Sequence, residues 1–187
     1  MHDVLILAGG GARRLGGLDK PGLLVGGTSL LDRVLQATAG AATTVVVGPV
    51  RDTVRPVVWT REDPPGGGPV AALAAGLEHV TSDTVVLLAA DLPFLRASMV
   101  DVLTGGLPPA EHGAVFVDGR RPQWLCSSWR TGSLRAALQG VVVDGARLQD
   151  VLGRLRALWI TEHVDGAPPG WTDVDTEDDL RRARASA

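Results

Sequence analysis

The chain has 187 residues, a net charge of −3 and a hydrophobic fraction of 45%. This length allows a core that folds without disulfides or a structural metal. The single cysteine excludes an intramolecular disulfide framework and a cysteine-rich metal site, and the acidic balance argues against a nucleic-acid-binding surface. No apolar run reaches the roughly 18 residues of a membrane span, and the N-terminus lacks the basic segment of a signal peptide. We therefore expect a cytoplasmic globular protein that binds neither nucleic acid nor membrane.

Short apolar runs alternate with helical patterns, which is typical of an α/β fold with a mostly parallel sheet. Thr28 or Ser29 is the expected N-cap of the first helix, Pro69 suits a helix start, and Thr176 to Asp179 is similar to a capping box. The patterns predict strands over residues 3–8, 44–47, 57–59, 84–89, 114–117, 124–128 and 158–161, and helices over residues 29–39, 69–80, 98–103, 133–138, 148–155 and after 176. Without repeats or long linkers, residues 1–187 are expected to form a single Rossmann-like three-layer domain.

A glycine-rich loop follows the first strand. Residues 9–11 are glycines, which let the backbone approach a ligand closely and whose N–H groups can cradle an anion. Arg13, Arg14 and Lys20 add three positive charges that suit a polyphosphate. The carboxyl end of a strand is also where open α/β sheets bind ligands. The loop therefore predicts a phosphate-binding site, and the alternative is a glycine-rich turn with solvated arginines.

The loop matches neither of two common nucleotide-binding motifs. Gly17 and Leu18 stand where a Walker A loop needs lysine and serine or threonine. A dinucleotide fingerprint beginning at Gly9 would meet Arg14 in place of its third small residue.

Asp91 ends a strongly apolar strand and is followed closely by Pro93. A charge in that position costs free energy unless a partner compensates it, and a divalent cation is a natural partner. Asp91 is therefore a candidate metal ligand, and its alternative role is to cap the next turn.

The loop from Leu7 to Lys20 resembles the signature loop of molybdenum cofactor guanylyltransferases, which belong to the Rossmann-like nucleotidyltransferases. The shared pattern is Leu-Ala-Gly-Gly, then Arg and Gly, then Asp-Lys. In that family the loop wraps the nucleotide triphosphate and the lysine contacts its phosphates. The resemblance implies nucleotide binding by Leu7, Ala8, Gly9, Gly10 and Lys20, and catalysis by Lys20 with Arg13 or Arg14 assisting. The Gly-Gly and Asp-Lys pairs favour this branch over relatives that transfer cytidylyl groups.

Other parts of the nucleotide site follow from the same resemblance. It implies that Asp91 binds both the nucleotide and a catalytic Mg²⁺. It also implies a nucleotide contact at Asp63, with an alignment that can shift to Glu62, and a helix start at Gly68 that faces the nucleotide. Gly48 stands where family members can carry an asparagine that contacts the base, so that only its backbone can contribute to base selection.

The resemblance also implies an acceptor side. Arg120 and Arg121 follow a turn and suit the terminal phosphate of a pterin, although a solvated hairpin tip explains them equally well. Asp173 and Asp175 alternate along an extended segment, so both can line one cleft. The family often has asparagines at these two positions, and Asp175 can alternatively cap the last helix.

The reaction that the resemblance implies is Mg²⁺-dependent transfer of GMP from GTP to molybdopterin, with release of pyrophosphate. It also implies a monomer that serves molybdoenzymes or their chaperones. One alternative is a related enzyme that uses CTP or another NTP with a pterin, sugar-phosphate or alcohol-phosphate acceptor. A second alternative is a nucleotide-binding module without catalytic activity.

Overall fold

The computed structural model describes residues 1–9, 19–161 and 168–186. Strands and helices alternate along these parts of the chain, as the apolar runs predict. The strands are β1 (Asp3–Leu7), β2 (Leu24–Val25), β3 (Thr28–Ser29), β4 (Thr44–Val47), β5 (Val58–Thr60), β6 (Thr84–Ala89), β7 (Gly113–Asp118), β8 (Arg121–Arg130) and β9 (Ala157–Ile160). The helices are α1 (Leu30–Ala37), α2 (Gly68–Leu77), α3 (Ala97–Thr104), α4 (Thr131–Leu138), α5 (Leu148–Leu152) and α6 (Glu177–Ala185).

Seven of these strands form one sheet in the order β5-β4-β1-β6-β8-β7-β9. β5, β4, β1 and β6 are parallel neighbours, and β9 is parallel to β7. β8 runs antiparallel to both of its neighbours because it is joined to β7 by a tight hairpin, in which Gly119 has a φ of 59°. The predicted mostly parallel sheet is confirmed, with β8 as the reversed strand.

Helices cover both faces of the sheet, so the predicted three-layer α/β architecture is confirmed. Alternate residues of the central strands point to opposite faces. On one face Ile6 and Val86 pack among side chains of α1 and α3. On the other face Leu5 and Leu87 pack among side chains of α2, α4 and α5. Among the helices within the described ranges, none is long and apolar enough to cross a membrane.

The β2–β3 hairpin and helix α6 form a smaller unit beside the sheet. The sequence predicts α6 but not the hairpin. The β2–β3 hairpin is absent from the predicted elements because strands of two residues leave no periodic pattern. Val25 of this hairpin packs with Leu180 of α6. The capping box that opens α6 is confirmed, since Thr176 and Asp179 each accept a hydrogen bond from the other's backbone N–H.

Some element boundaries differ from the prediction by a few residues. β8 begins at Arg121 and not at residue 124, because pairing with β7 continues down to the hairpin turn. α2 begins at Gly68, one residue before Pro69. α5 ends at Leu152, where Gly153 caps it and the chain turns toward β9. The order and type of the predicted elements are unaffected.

Candidate active site

The site lies at the carboxyl ends of the central parallel strands. Ala8, just past β1, donates its backbone N–H to the Val47 carbonyl of β4 at 2.8 Å. Gly48, the residue after β4, has a φ of 152°, and a Cβ there would lie 2.8 Å from the carbonyl carbon and oxygen of Ala8. A glycine is therefore needed at position 48 because two loops meet there. This contact places Gly48 against Ala8 and Gly9, which are candidate nucleotide-binding residues, while Leu7 lies buried at the end of β1.

Lys20 lies at the centre of the site. It opens a 3₁₀ turn (Lys20–Gly22), and its ammonium forms ion pairs with Asp91, just past β6, and with Asp175, ahead of α6. The distance from Nζ to Asp175 Oδ1 is 2.7 Å. Burial is the largest influence on the pKa of Lys20 and lowers it, but the charges and hydrogen bonds of the two carboxylates outweigh it, so the pKa is raised. Because its pKa is raised, the Lys20 side chain is protonated and positively charged at neutral pH.

A third carboxylate stands close to this ion-paired group. The pKa of Asp173 is raised, first by partial desolvation and then by the negative charges of Asp175 and Asp91, while Lys20 opposes the rise. Asp173 nevertheless keeps contact with solvent. Two of the predicted acceptor residues, Asp173 and Asp175, thus lie next to the predicted catalytic pair Lys20 and Asp91.

The donor set around Lys20 fits a magnesium ion. Oxygens of Asp91 and Asp175 both contact one cationic group, the Lys20 ammonium. Across the described ranges no group of three or more histidine, cysteine, aspartate or glutamate side chains is arranged to hold a metal. Mg²⁺ is usually bound by one or two carboxylates together with substrate phosphates and water. Asp91, with Asp175 beside it, can therefore hold Mg²⁺ when a nucleotide supplies the remaining oxygens.

A cleft of about 310 Å³ opens next to Asp91 on the β6–β8 side. Ala89, Leu92 and Asp173 line one part of it. Its lining also includes Arg121, Trp124 and Trp171. The aromatic walls suit a planar ring, and the arginine suits an anionic group on it. Arg121 therefore lies where an acceptor phosphate is expected.

Arg120 does not line this cleft. It occupies the β7–β8 turn beside Gly119 and is exposed to solvent. The sequence gives both arginines the same role, but only the second one faces the cleft, because neighbouring residues at a hairpin turn point in different directions.

The segment after β5 presents Glu62, and not Asp63, to Gly9. Asp63 is exposed. Glu62 Oε1 accepts the backbone N–H of Gly66 at 3.0 Å and lies 4.0 Å from the position that a Cβ on Gly9 would take. Gly68 begins α2 a few residues later, with a φ of 88° that favours glycine.

Part of the predicted site lies outside the described residues. Gly10, Arg13 and Arg14 fall within 10–18, so their assigned roles stay predictions.

The sequence does not predict an ion pair between Arg51 and Asp19 at the site. Arg51 forms an ion pair with Asp19 at 2.7 Å, and this pair joins the segment after β4 to the residue just before Lys20. Arg51 is largely buried, whereas Asp19 is mostly exposed. The two residues are far apart in sequence, and a lone arginine in a loop gives no signal of such a pairing.

The fold and the site together define a class of protein. The sequence has a glycine-rich segment after the first strand, and the structure pairs a half-buried lysine with an aspartate just past a neighbouring parallel strand. These features are typical of Rossmann-like enzymes that bind a nucleotide through its phosphates. The adjoining cleft supplies room for a second substrate, which is what a transferase of this class requires.

Comparison with known proteins identifies the family. Residues 4–158 match the MobA-like NTP transferase domain, and the chain belongs to this family of nucleotidyltransferases. A molybdenum cofactor guanylyltransferase from Bradyrhizobium is 37% identical over 196 residues, covering 98% of this chain and 92% of the relative. Another from Nitrobacter hamburgensis is 28% identical and covers 98% of this chain and 93% of the relative.

Solved structures show the same fold. The molybdopterin-guanine dinucleotide biosynthesis protein A from Archaeoglobus fulgidus superposes with a TM-score of 0.77 at 22% identity, covering 98% of this chain and 97% of that one. The 2-C-methyl-D-erythritol 4-phosphate cytidylyltransferase from Thermus thermophilus has a TM-score of 0.70 at 20% identity, covering 98% and 97%. Because a cytidylyltransferase shares the architecture, the fold alone does not select the base.

Proposed function

We propose that the protein transfers GMP from GTP to molybdopterin in an Mg²⁺-dependent reaction that releases pyrophosphate. The observation that carries this proposal is the position of Lys20. Its ammonium joins Asp91 and Asp175 beside the aromatic cleft. The relatives named as molybdenum cofactor guanylyltransferases support the choice of GTP and of a pterin acceptor.

The reaction needs no nucleophilic side chain. A terminal phosphate oxygen of the acceptor attacks the α-phosphorus of GTP in line, a new P–O bond forms, and the bond to the β-phosphate oxygen breaks as pyrophosphate leaves. Lys20 and the backbone N–H groups of the glycine loop hold the phosphates and neutralise the charge that develops on them. Arg121 orients the acceptor phosphate from the cleft. Mg²⁺, bound by Asp91 and the phosphates, would supply further charge neutralisation at the reacting phosphorus.

The cytoplasm as the site of action, a monomeric state, and hand-over of the product to molybdoenzymes or their chaperones belong to the same proposal. The acidic net charge of −3 supports the absence of a nucleic-acid partner.

Nucleotide binding by calorimetry tests the proposal directly. GTP, ATP and CTP are titrated into the whole protein with and without Mg²⁺, and we expect GTP to bind more tightly than the others by at least about tenfold, a difference of about 1.4 kcal/mol. A preference for CTP would favour a cytidylyl-transferring enzyme of the same fold. If no nucleotide binds, the assignment of the glycine loop is wrong. Turnover with molybdopterin then separates an enzyme from a non-catalytic module.

A further inference from the structure

Arg51 joins the segment after β4 to the turn that begins at Lys20. Its guanidinium contacts the Asp19 carboxylate at 2.7 Å, and only 15% of its side chain is exposed. Burying a guanidinium costs free energy unless an acceptor compensates it, and among the described residues the Asp19 carboxylate is the charged group that does so. The burial of the cation distinguishes this contact from the solvated ion pairs of the protein surface, which contribute little.

The chain on both sides of Arg51 is attached to regular elements of the fold. Before it, the Gly48 N–H donates to the carbonyl of the last residue of β5 at 2.9 Å. After it, the Val54 N–H donates to Asp32 Oδ1 on α1 at 2.9 Å, and the Arg55 guanidinium donates to carbonyl oxygens at the end of α1. These hydrogen bonds give the Arg51 segment a defined position relative to the sheet and to α1.

Asp19 links this position to the turn that carries Lys20. The Asp19 carbonyl accepts the Gly22 N–H at 3.0 Å and so closes the 3₁₀ turn over Lys20–Gly22. The Asp19 carboxylate lies against the same turn, since a Cβ on Gly22 would be 2.6 Å from Asp19 Oδ2. It makes no hydrogen bond that caps the turn, and its Oδ1 contacts Arg51. The contact with Arg51 therefore determines where the turn begins.

We infer that Arg51 is a positioning residue, which acts through Asp19 to hold the Lys20 ammonium where it meets Asp91 and Asp175 and where it binds the nucleotide phosphates. The part of this inference that concerns phosphates rests on the proposed function, whereas the contacts from Arg51 to Lys20 are present without a ligand. A lysine side chain is flexible, so its main chain must be fixed before the ammonium can be held in one place. Small displacements of such a group weaken catalysis strongly.

The first experiment follows Lys20 in the whole protein without nucleotide. Lys20 is the only lysine of the chain, so ¹⁵N-labelled lysine gives one ammonium signal. Exchange of the ammonium protons with water is measured at low temperature and one mildly acidic pH, because ion pairing and shelter from solvent slow it. We expect exchange to become several-fold faster in Arg51→Gln and in Asp19→Asn, and no faster again in the double variant, since both residues act through one contact. Arg154→Gln, the same change at an exposed arginine after α5, should match the wild type.

The second experiment compares GTP with GMP, which lacks the β- and γ-phosphates, by calorimetry with Mg²⁺ on the same proteins. We expect the GTP affinity to fall about tenfold in each single variant and by about the same factor in the double variant. The GMP affinity should stay as in the wild type, because the displaced Lys20 ammonium then has fewer phosphates to bind.

Unchanged ammonium exchange in both single variants would overturn the inference even if they unfold at a lower temperature, because the pair would then only support the structure. Faster exchange with unchanged GTP affinity would overturn the link to phosphate binding. A loss of GTP affinity in Arg51→Gln with none in Asp19→Asn would make Arg51 a direct ligand and also overturn the inference. If the wild type binds no nucleotide, the proposed function fails, and the ammonium exchange decides separately whether Arg51 positions Lys20.

Discussion

Lys20 connects segments that are remote in sequence. Asp175 lies 155 residues further along the chain, and no spacing rule predicts that it meets the residue just after the glycine loop. Lys20 is also the chain's single lysine. Asp91 and Asp175 form ion pairs with this one ammonium group, and the carboxylate of Asp173 is close enough to feel their charges. Among these four side chains the carboxylates outnumber the ammonium group, which suits the binding of a divalent cation together with a nucleotide.

Replacement of Asp91 by asparagine tests this electrostatic balance. Asp91→Asn removes the charge that most strongly raises the pKa of Lys20, so we expect that pKa to fall relative to the wild type. Because the protein has one lysine, ¹³C NMR of lysine labelled at Cε follows the titration as a single side-chain signal. We also expect Mg²⁺-dependent turnover to fall at least about 100-fold, with an unchanged circular dichroism spectrum.

Asp101→Asn is the matched control, since this exposed aspartate on α3 has no part in the site. It should leave both the lysine titration and the turnover as in the wild type. Near-normal activity of Asp91→Asn would remove Asp91 from the mechanism, even if the lysine pKa moved as expected.

At the scale of elements, the sequence predicts the type and order of strands and helices because buried strands and amphipathic helices leave different apolar periods. The sequence predicts the ends of β1 and β6 to within a residue, and therefore predicts that the site lies at the carboxyl ends of the parallel strands. It does not predict the direction of β8, which depends on the hairpin at Gly119. Nor does it decide between Glu62 and Asp63, because the direction of a side chain after a strand depends on the turn that follows.

Helix α6 supports the site from outside the sheet. Its capping box begins at Thr176, immediately after Asp175. Its inner face packs Leu180 against the β2–β3 unit, and the Arg184 Nε donates to the Leu24 carbonyl at 3.0 Å. The start of α6 therefore determines where the Asp175 carboxylate is held relative to Lys20.

Thr176→Ala removes the hydroxyl of the capping box, and we expect it to lower the free energy of unfolding by about 1 kcal/mol. Because the helix start also positions Asp175, GTP affinity should fall by a few-fold. Thr176→Ser keeps the hydroxyl and should retain both properties. Urea unfolding and calorimetry measure the two effects. Equal stability of the alanine and serine variants would show that the cap does not hold the helix.

Across the whole molecule, the two ends of the sheet have different roles. The carboxyl ends of the strands carry the candidate ligand-binding groups, whereas the opposite end holds the fully buried Asp3 at the start of β1. Asp3 Oδ1 accepts from the backbone of Thr43, just before β4, and Oδ2 accepts from the backbones of Thr81 and Ser82, shortly before β6. The Asp3 carboxylate thus links the starts of β1, β4 and β6, at the end of the sheet opposite the candidate active site.

The stability that Asp3 provides should depend on pH in a defined direction. Burial is the largest influence on its pKa and raises it, but the hydrogen bonds from Ser82, Thr81 and Thr43 together outweigh burial, so the folded-state pKa is lowered. A carboxylate with a lowered folded-state pKa stabilises the fold fully above its unfolded pKa of about 4, and this contribution is lost as the pH falls through the folded-state value.

Asp3→Asn places an amide N–H₂ among backbone N–H donors, so we expect it to lower the free energy of unfolding by about 1–3 kcal/mol at pH 7. The deficit should stay constant down to about pH 5 and shrink as the pH falls below about 4, because the wild type then loses the same interaction. Urea unfolding across this range measures it, with the exposed Asp83→Asn as control. GTP affinity at pH 7 should remain that of the wild type as long as the variant is folded, because Asp3 lies at the end of the sheet opposite the site. A deficit that is independent of pH would mean that the asparagine acts through packing and not through the lost charge.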